Sequence, residues 1–235
     1  ELTTSIGVID GDQKQFEIIL SILLGSLVMF ILGFVDDIIS CRPTVKIAFQ
    51  LIASIIFIYN GGGFLIFETE ALNIFITLLW FFVVINAVNL MDNMDGLTTG
   101  VVIISLIFLI FNSILGVDGT FPLSVYSSVI MLSSLLAFLF FNWSPATIFM
   151  GDSGSLSIGF ILAALLIPSP INNYLGITQN DHLSTPVMSL LIPILIIVTL
   201  LFDVVFVTIT RFLEGRSVMK GGKDHTSHRL VRGGL

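Results

Sequence analysis

The sequence predicts an all-α, polytopic bundle of membrane-spanning helices. Of its 235 residues, 55% are hydrophobic and only 11% are charged, and the mean hydropathy is +1.06. A soluble domain carries about twice that charged fraction. Long apolar runs recur along the whole chain, without the alternating two-residue period of barrel strands. Helices are therefore the expected spanning elements.

Seven apolar runs follow one another, and each is expected to form one span. They cover approximately residues 16–35, 45–60, 71–88, 99–117, 123–141, 155–169 and 186–210. A helix crosses a hydrocarbon core of about 30 Å with about 20 residues. The second and sixth runs are short, which leaves half-buried segments as the alternative, and Pro193 is expected to kink the seventh. We interpret residues 1–235 as a single integral membrane domain.

Counting crossings places four acid-bearing polar stretches on one face of the membrane. The stretches contain Asp36-Asp37 and residues 86–96, 149–155 and 223–230. Eight of the nine basic residues fall on the same face: Arg42, Lys46, Arg211, Arg216, Lys220, Lys223, Arg229 and Arg232. The positive-inside rule then makes this face cytoplasmic. We predict a multi-pass protein of the cell inner (plasma) membrane with its functional groups facing the cytoplasm.

The Asp36-Asp37 pair closes the first apolar run. Adjacent carboxylates repel each other, so a tandem pair at an interface needs a cation or a base nearby. Mg²⁺ suits such a site because it binds through one or two carboxylates together with substrate phosphates. The alternative is a solvated helix end assisted by Arg42.

Amide and carboxylate side chains recur every three residues after the third run, at Asn86, Asn89, Asp92 and Asp95. On a helix this spacing puts them on one face, and Gly96 would cap the helix. Their oxygens suit a hard cation or the donor groups of a nucleotide. An ordinary polar cap is the alternative.

Small residues surround Asp152 in the stretch Met150-Gly151-Asp152-Ser153-Gly154-Ser155. Such residues let the backbone approach a phosphate, and the N-terminus of the following helix offers free N–H groups to it. Asp152 would add a metal ligand there. The alternative is a simple N-cap by Asp152 or Ser153.

Two histidines, His225 and His228, lie in a basic tail with Lys220, Lys223 and Arg229. We prefer a phosphate site to a zinc site, because the companions are cations and the single Cys41 excludes a cysteine cage. Asp203, inside the last run, is open to a structural or a functional reading. Together these groups suit Mg²⁺-assisted phosphoryl transfer.

In their order and spacing, these motifs resemble the polyprenyl-phosphate N-acetylhexosamine-1-phosphate transferases, glycosyl transferase family 4. The matching pieces are Gly33-Phe34-Val35-Asp36-Asp37, Asn86-Ala87-Val88-Asn89-Leu90-Met91-Asp92 continuing to Asp95-Gly96-Leu97, Met150 to Ser155, and Asp224-His225 with His228-Arg229-Leu230. The resemblance implies transfer of an N-acetylhexosamine 1-phosphate from a UDP-sugar to undecaprenyl phosphate in the bilayer, with release of UMP. It implies Mg²⁺ as the cofactor, with Mn²⁺ as an alternative. We expect no nucleic-acid partner, and a homodimer is an open assembly.

The resemblance also implies a role for each matching residue. Asp152 resembles the principal Mg²⁺ ligand and Asn89 a second ligand. Asp36 and Asp37 resemble the pair that handles the lipid phosphate, one of them proposed as a base, and Asp92 a substrate-orienting carboxylate. Asp95 resembles the residue at the uracil edge, and Phe149 the ring that stacks on the base. Asn86 is placed with the substrate-binding residues, and His225, His228 and Arg229 resemble the loop that grips the diphosphate and the sugar.

Three departures from the family pattern stand out. Asn93 replaces the usual Gly between the two aspartates, and Ser227 replaces a third histidine. The family has ten or eleven spans, so we expect this chain to be a piece of a longer protein. The spaced histidines favour UDP-GlcNAc as the donor, as in the branch that initiates O-antigen, enterobacterial common antigen or teichoic acid linkage units.

Two rival functions remain. The first is the phospho-N-acetylmuramoyl-pentapeptide transferase of peptidoglycan synthesis. The second is a cation-coupled transporter, which Asp203 favours but which the acids at the span ends and the lack of an internal repeat oppose.

Overall fold

The computed structural model describes residues 2–115, 123–167 and 193–213, and the regular structure within them is helical. The elements are α1 (Leu2–Ile39), α2 (Pro43–Tyr59), α3 (Glu70–Met91), α4 (Leu97–Leu115), α5 (Leu123–Asn142), α6 (Gly151–Leu166) and α7 (Val198–Leu213). The prediction of an all-α fold is therefore confirmed. Each of the seven helices overlaps one of the predicted apolar runs.

Three of the described helical segments are long and apolar enough to cross a membrane: Phe16–Ile39, Glu70–Met91 and Val125–Asn142. Three shorter apolar segments accompany them: Pro43–Tyr59, Leu97–Asn112 and Gly151–Leu166. The multi-pass membrane architecture is thus confirmed, while the count of seven spans stays a prediction. The first part of the run at 186–210 lies outside the described residues.

Helix α6 lies at the centre of the bundle, packed against α1 on one side and α3 on the other. A Cβ atom at Gly25 would overlap the Phe160 ring, so this glycine makes room for a large side chain of α6. Gly159 lets α6 approach α3, since a Cβ there would lie 2.9 Å from the Cα atom of Ile85. The indole Nε1 of Trp80 donates a hydrogen bond of 3.0 Å to the Ala163 carbonyl. This close packing fixes the relative positions of α1, α3 and α6.

Aromatic rings fill the space between these helices. The Phe81 ring lies 4.8 Å from the Phe160 ring and 5.2 Å from the Phe57 ring, centroid to centroid. Many large apolar side chains point outward instead, among them Leu23 and Ile130, which are 59% and 67% exposed. An outer surface of this kind suits contact with lipid chains rather than with water.

A buried asparagine makes side-chain hydrogen bonds at each end of the bundle, Asn73 at one end and Asn142 at the other. At the end formed by the loop between α2 and α3, Asn73 accepts hydrogen bonds from the N–H groups of Ile66 and Phe67 and donates one to the Phe67 carbonyl, at 2.8–3.0 Å. At the opposite end, the C-termini of α1, α3 and α5 meet the N-termini of α2, α4 and α6. The predicted polar motifs lie at that second end.

Candidate active site

The Asp37 carboxylate caps the N-terminus of α6. It accepts hydrogen bonds from the N–H groups of Asp152 at 2.9 Å and Ser153 at 3.1 Å. The chain reaches this position through Gly151, whose φ of +65° belongs to the left-handed region. Gly33 permits the close approach, since a Cβ there would overlap the Asp152 carbonyl oxygen. The cap therefore comes from another helix, not from the N-cap residues that the sequence offered as an alternative.

The Asp36 carboxylate lies between Lys46 of α2 and Asp152 of α6. One of its carboxylate oxygens accepts the Cys41 N–H at 2.6 Å, and the other lies 2.6 Å from Lys46 Nζ. Lys46, in the first turn of α2, also lies 2.6 Å from Asp152 Oδ2. These side chains are only 11–30% exposed, so water screens the two ion pairs less than surface pairs. A single ammonium thus joins the first and third sequence motifs.

Asn89 holds Asp152 from the α3 side. Its amide nitrogen donates to Asp152 Oδ1 at 3.0 Å and to the Ser155 hydroxyl at 2.9 Å. Ser155 is fully buried, which anchors this contact between α3 and α6. The structure therefore brings the two residues predicted as metal ligands into direct contact.

Asp92 follows the end of α3 and lies near the same cluster. Burial, and then the negative charges of Asp152 and Asp37, raise the pKa of Asp92 to about 6 from its ordinary value of 3.8. The Thr98 hydroxyl is buried and forms no close hydrogen bond with the described groups. It lies near enough to the Asp92 carboxyl to oppose part of the rise in the pKa of Asp92. Asp37, Asp92 and Asp152, which come from three different sequence motifs, therefore lie near one another in the structure.

The prediction of a polar stripe on one helix is correct for Asn86 and Asn89, which lie on α3. It is wrong for Asp92 and Asp95, which lie beyond the end of α3. Helix α3 ends at Met91, so Asp92 is its C-cap and Asp95 lies in the following turn. Gly96, with φ of +70°, precedes α4 and does not cap α3. A spacing of three residues is compatible with a turn as well as with a helix, and the sequence did not separate the two.

Asn86 is engaged in packing between α2 and α3. Its amide nitrogen donates to Gln50 Oε1 at 3.0 Å and to the Phe82 carbonyl at 2.7 Å. Gln50, which is 2% exposed, donates back to Asn86 Oδ1 at 3.4 Å. The structure thus gives Asn86 a bracing position, and its role in substrate binding stays a prediction.

The loop between α5 and α6 is tied to the turn between α3 and α4. Asp95 accepts the Ala146 N–H at 2.9 Å. Asn142, the last residue of α5, accepts hydrogen bonds from the Gly96 N–H and the Thr99 hydroxyl. Phe149 lies on the same loop and is 73% exposed, which leaves its ring available to a ligand. His225, His228 and Arg229 lie outside the described residues, as does the side chain of Asp203.

The donor set fits a hard divalent cation. No three histidine, cysteine or acidic side chains within the described part of the chain converge closely enough to bind an ion unaided. Mg²⁺ does not require that, because it retains waters and combines one or two carboxylates with substrate phosphates. Asp152 and Asp36 already hold a positive charge between them, the Lys46 ammonium. With Asn89 at hand for Asp152, these residues would hold the ion.

Sequence reasoning missed two residues of this site, Lys46 and Asn142. The sequence indicated Lys46 only as one of the basic residues that orient the chain in the membrane. A lysine in the first turn of an apolar run is itself a signal, because a buried ammonium needs an acidic partner. Asn142 lies at the end of a predicted span, just before Trp143, and looks like an ordinary interfacial residue.

The fold and the site define a class of protein: an integral membrane protein with a cluster of acidic side chains at its helix ends, suited to a cation and to phosphates. The chain belongs to glycosyl transferase family 4, because the sequence model of that family matches residues 19–169. This match includes the first three motifs. The fourth, around His225 and His228, lies beyond it.

Named relatives support the family. A protein of Bacillus subtilis named "Probable undecaprenyl-phosphate N-acetylglucosaminyl 1-phosphate transferase" is 32% identical over 224 residues, 92% of this chain and 59% of the relative. The decaprenyl-phosphate N-acetylglucosaminephosphotransferase of Mycobacterium tuberculosis is 30% identical over 232 residues, 90% of this chain and 56% of the relative. A phospho-N-acetylmuramoyl-pentapeptide-transferase of Streptococcus agalactiae is 38% identical over 168 residues, 63% of this chain and 48% of the relative. The chain therefore spans less than two thirds of the length of these relatives.

Proposed function

We propose that the protein transfers N-acetylglucosamine 1-phosphate from UDP-GlcNAc to undecaprenyl phosphate, releasing UMP, and so initiates a cell-envelope glycan. One observation carries the proposal: Asp36, Asp37, Asn89, Asp92 and Asp152 gather at one end of a membrane helix bundle. A headgroup phosphate in the bilayer and a nucleotide from the aqueous phase would meet at such a place.

The names of the relatives support this choice of substrates. Those that cover about nine tenths of the chain carry a polyprenyl phosphate and N-acetylglucosamine in their names. The muramoyl-pentapeptide transferases cover a smaller share, about 63%. The Streptococcus agalactiae member, 38% identical over 168 residues, supports the second candidate, transfer of phospho-N-acetylmuramoyl-pentapeptide to the same lipid.

The proposed reaction needs little covalent help from the protein. An oxygen of the lipid phosphate attacks the β-phosphorus of the UDP-sugar, a new P–O bond forms, and the bond from this phosphorus to the oxygen of UMP breaks. The second pKa of a phosphate monoester is about 6, so the nucleophile is largely ionised at neutral pH. Neither Asp36 nor Asp37 is then required as a base. Catalysis rests on position and on charge.

The described residues can supply both the positioning of the substrates and the positive charge. Lys46 offers an ammonium to phosphate oxygens, and the start of α6 lies beside it. Asp37 holds the N–H groups of Asp152 and Ser153, which keeps the start of α6 in place. A bound Mg²⁺ would neutralise diphosphate charge at Asp152. We propose that His225, His228 and Arg229 grip the diphosphate, and that the whole site faces the cytoplasm at the inner membrane.

A donor test examines the proposal. Membranes containing the full-length protein would receive undecaprenyl phosphate, Mg²⁺ and labelled UDP-GlcNAc, or the same with labelled UDP-MurNAc-pentapeptide. We expect label in the lipid fraction and UMP from the first donor, and none from Asp152→Asn membranes. Label from the pentapeptide donor alone would overturn the choice of sugar. Absence of lipid label and of UMP with both donors, in membranes that hold the folded protein, would overturn the transferase proposal.

A further inference from the structure

A buried asparagine at the end of α5 links the two segments that carry the predicted nucleotide contacts. Asn142 is 4% exposed. Its Oδ1 accepts hydrogen bonds from the Gly96 N–H at 3.1 Å and from the Thr99 hydroxyl at 2.8 Å. Its amide nitrogen donates to the Ile148 carbonyl at 3.0 Å. One amide thus joins the turn after α3 to the loop before α6.

Both joined segments lead directly to candidate nucleotide contacts. Gly96 follows Asp95, and Ile148 precedes Phe149, whose ring is largely exposed. The Ala146 N–H, donated to Asp95 at 2.9 Å, is a second link between the same segments. Gly96 lies close against α5, since a Cβ there would be 3.4 Å from the Asn142 carbonyl oxygen. The turn and the loop therefore share one support.

Asn142 cannot act by touching the nucleotide. All three of its described hydrogen bonds go to protein groups, and almost none of its surface reaches solvent. We propose that Asn142 is a positioning residue that sets the distance between Asp95 and Phe149, and thereby the affinity for the uridine diphosphate part of the donor. This inference rests on the proposed function, since it takes the donor to be a UDP-sugar.

The bundle offers a matched control in Asn73. It is 9% exposed and also makes three described hydrogen bonds that brace a loop, but at the opposite end of the helices. Asn73→Ala removes a comparable set of contacts far from Asp95 and Phe149. A general loss of stability should therefore affect both variants, whereas a loss of nucleotide affinity should affect only changes at Asn142.

Two substitutions at Asn142 separate its bonds. Asn142→Ala removes all three. Asn142→Asp retains the acceptor oxygen for Gly96 and Thr99 but loses the donor to Ile148, so it loosens only the Phe149 loop, which the Phe141 carbonyl still contacts through the N–H groups of Thr147 and Ile148. If the alanine variant fails to fold, the aspartate variant still tests the inference. Faster hydrogen exchange at the N–H groups of Ala146 and Ile148 would report the released loop independently of activity.

The experiment measures UDP binding to the full-length protein by equilibrium dialysis, together with UMP release at varied UDP-GlcNAc and lipid phosphate. We expect both Asn142 variants to raise the Kd for UDP and the KM for the sugar nucleotide by about tenfold, as for one lost buried hydrogen bond. The KM for lipid phosphate should remain within about twofold, an expectation from independence of distant sites. Asn73→Ala should leave all three constants unchanged.

The outcomes distinguish this inference from the proposed function. UDP affinity unchanged in both Asn142 variants, or lowered equally by Asn73→Ala, would overturn the positioning role while wild-type transfer still supports the function. UDP binding that depends on Asn142, in a wild type that releases no UMP, would support the positioning role and reject the function. A wild type that binds no UDP would overturn both.

Discussion

Replacing Lys46 with methionine removes the ammonium that joins Asp36 and Asp152. Lys46 Nζ lies 2.6 Å from an oxygen of each carboxylate. Methionine keeps an apolar stem of similar length but carries no charge. The change leaves Asp36, Asp37, Asp92 and Asp152 close together without the cation that contacts two of them. We expect two effects, lower stability and a stronger dependence of stability on added divalent cations.

The size of the first effect follows from the burial of the pair. A hydrogen bond to a charged group contributes about 1.5–3 kcal/mol when buried, and an exposed ion pair contributes about 1 kcal/mol or less. The Lys46, Asp36 and Asp152 side chains are 24%, 11% and 30% exposed, between these limits. We therefore expect the loss of both contacts to cost about 2–3 kcal/mol in free energy of unfolding. The unfolding midpoint should fall by about 5–10 °C.

Thermal unfolding of the full-length protein, with and without Mg²⁺, measures both effects. Lys46→Arg is the control, because it keeps the positive charge. In Lys46→Met a bound cation can take over the neutralising role, and at 100 times its Kd it would restore about 2.7 kcal/mol. Mg²⁺ should therefore raise the midpoint of Lys46→Met more than that of the wild type or Lys46→Arg. A midpoint of Lys46→Met equal to that of the wild type without Mg²⁺, or an equal response to Mg²⁺, would refute the reasoning.

Four further substitutions test separate parts of the site, and a fifth, Gly100→Ala, is a control. Asp152→Asn should abolish Mg²⁺-dependent UMP release and leave the circular dichroism spectrum unchanged; near-normal turnover would contradict its role as a ligand. The pKa of Asp92 is raised to about 6, so its contribution to stability is complete below about pH 4 and is lost as the pH rises through 6. Asp92→Asn should therefore match the wild type in thermal unfolding at pH 4 and be more stable by up to about 2 kcal/mol at pH 7.5; equal stability at both pH values would count against the burial argument. Asp37→Asn should cost about 1–2 kcal/mol in thermal unfolding because it weakens the cap of α6; lost turnover with full stability would favour a purely chemical role instead. Gly33→Ala should cost about 1–3 kcal/mol, since its Cβ would overlap backbone of α6, whereas Gly100→Ala, with open space around it, should be neutral or stabilising by up to about 1 kcal/mol; equal midpoints for the two would refute the close approach.

The positions of the helices were predictable because an apolar run of the required length is visible in consecutive residues, without knowledge of any tertiary contact. The starts of helices next to the site were less predictable. The sixth run was expected to begin at residue 155, but α6 begins at Gly151. The small and polar residues Gly151 to Gly154 are typical of a loop when considered alone. They can be helical because Asp37 of another helix accepts their N–H groups, and a local pattern does not contain that contact.

The members of the acidic cluster were predictable because they lie in three short polar motifs, one with Asp36 and Asp37, one with Asp92 and one with Asp152. The links between motifs were not. Lys46 and Asp152 are 106 residues apart in sequence, and Asn142 reaches Thr99 across 43 residues. The position of Lys46 indicates only that it needs an acidic partner, and Asn142 carries no such signal, so the partners of both become apparent only when the helices are packed. The sequence thus indicated which groups carry the chemistry, and the structure adds which groups hold them in place.

The two adjacent aspartates of α1 show why residue type alone does not assign a role. Successive side chains on an α-helix point about 100° apart. Asp36 therefore contacts Lys46 and the Cys41 N–H beside the Asp152 side chain, while Asp37 accepts two backbone N–H groups at the start of α6. Of the pair, Asp37 is thus the one committed to architecture. Asp36 is the one paired with an ammonium, Lys46, and we propose that substrate binding exchanges this partner for a metal ion or turns it toward a phosphate.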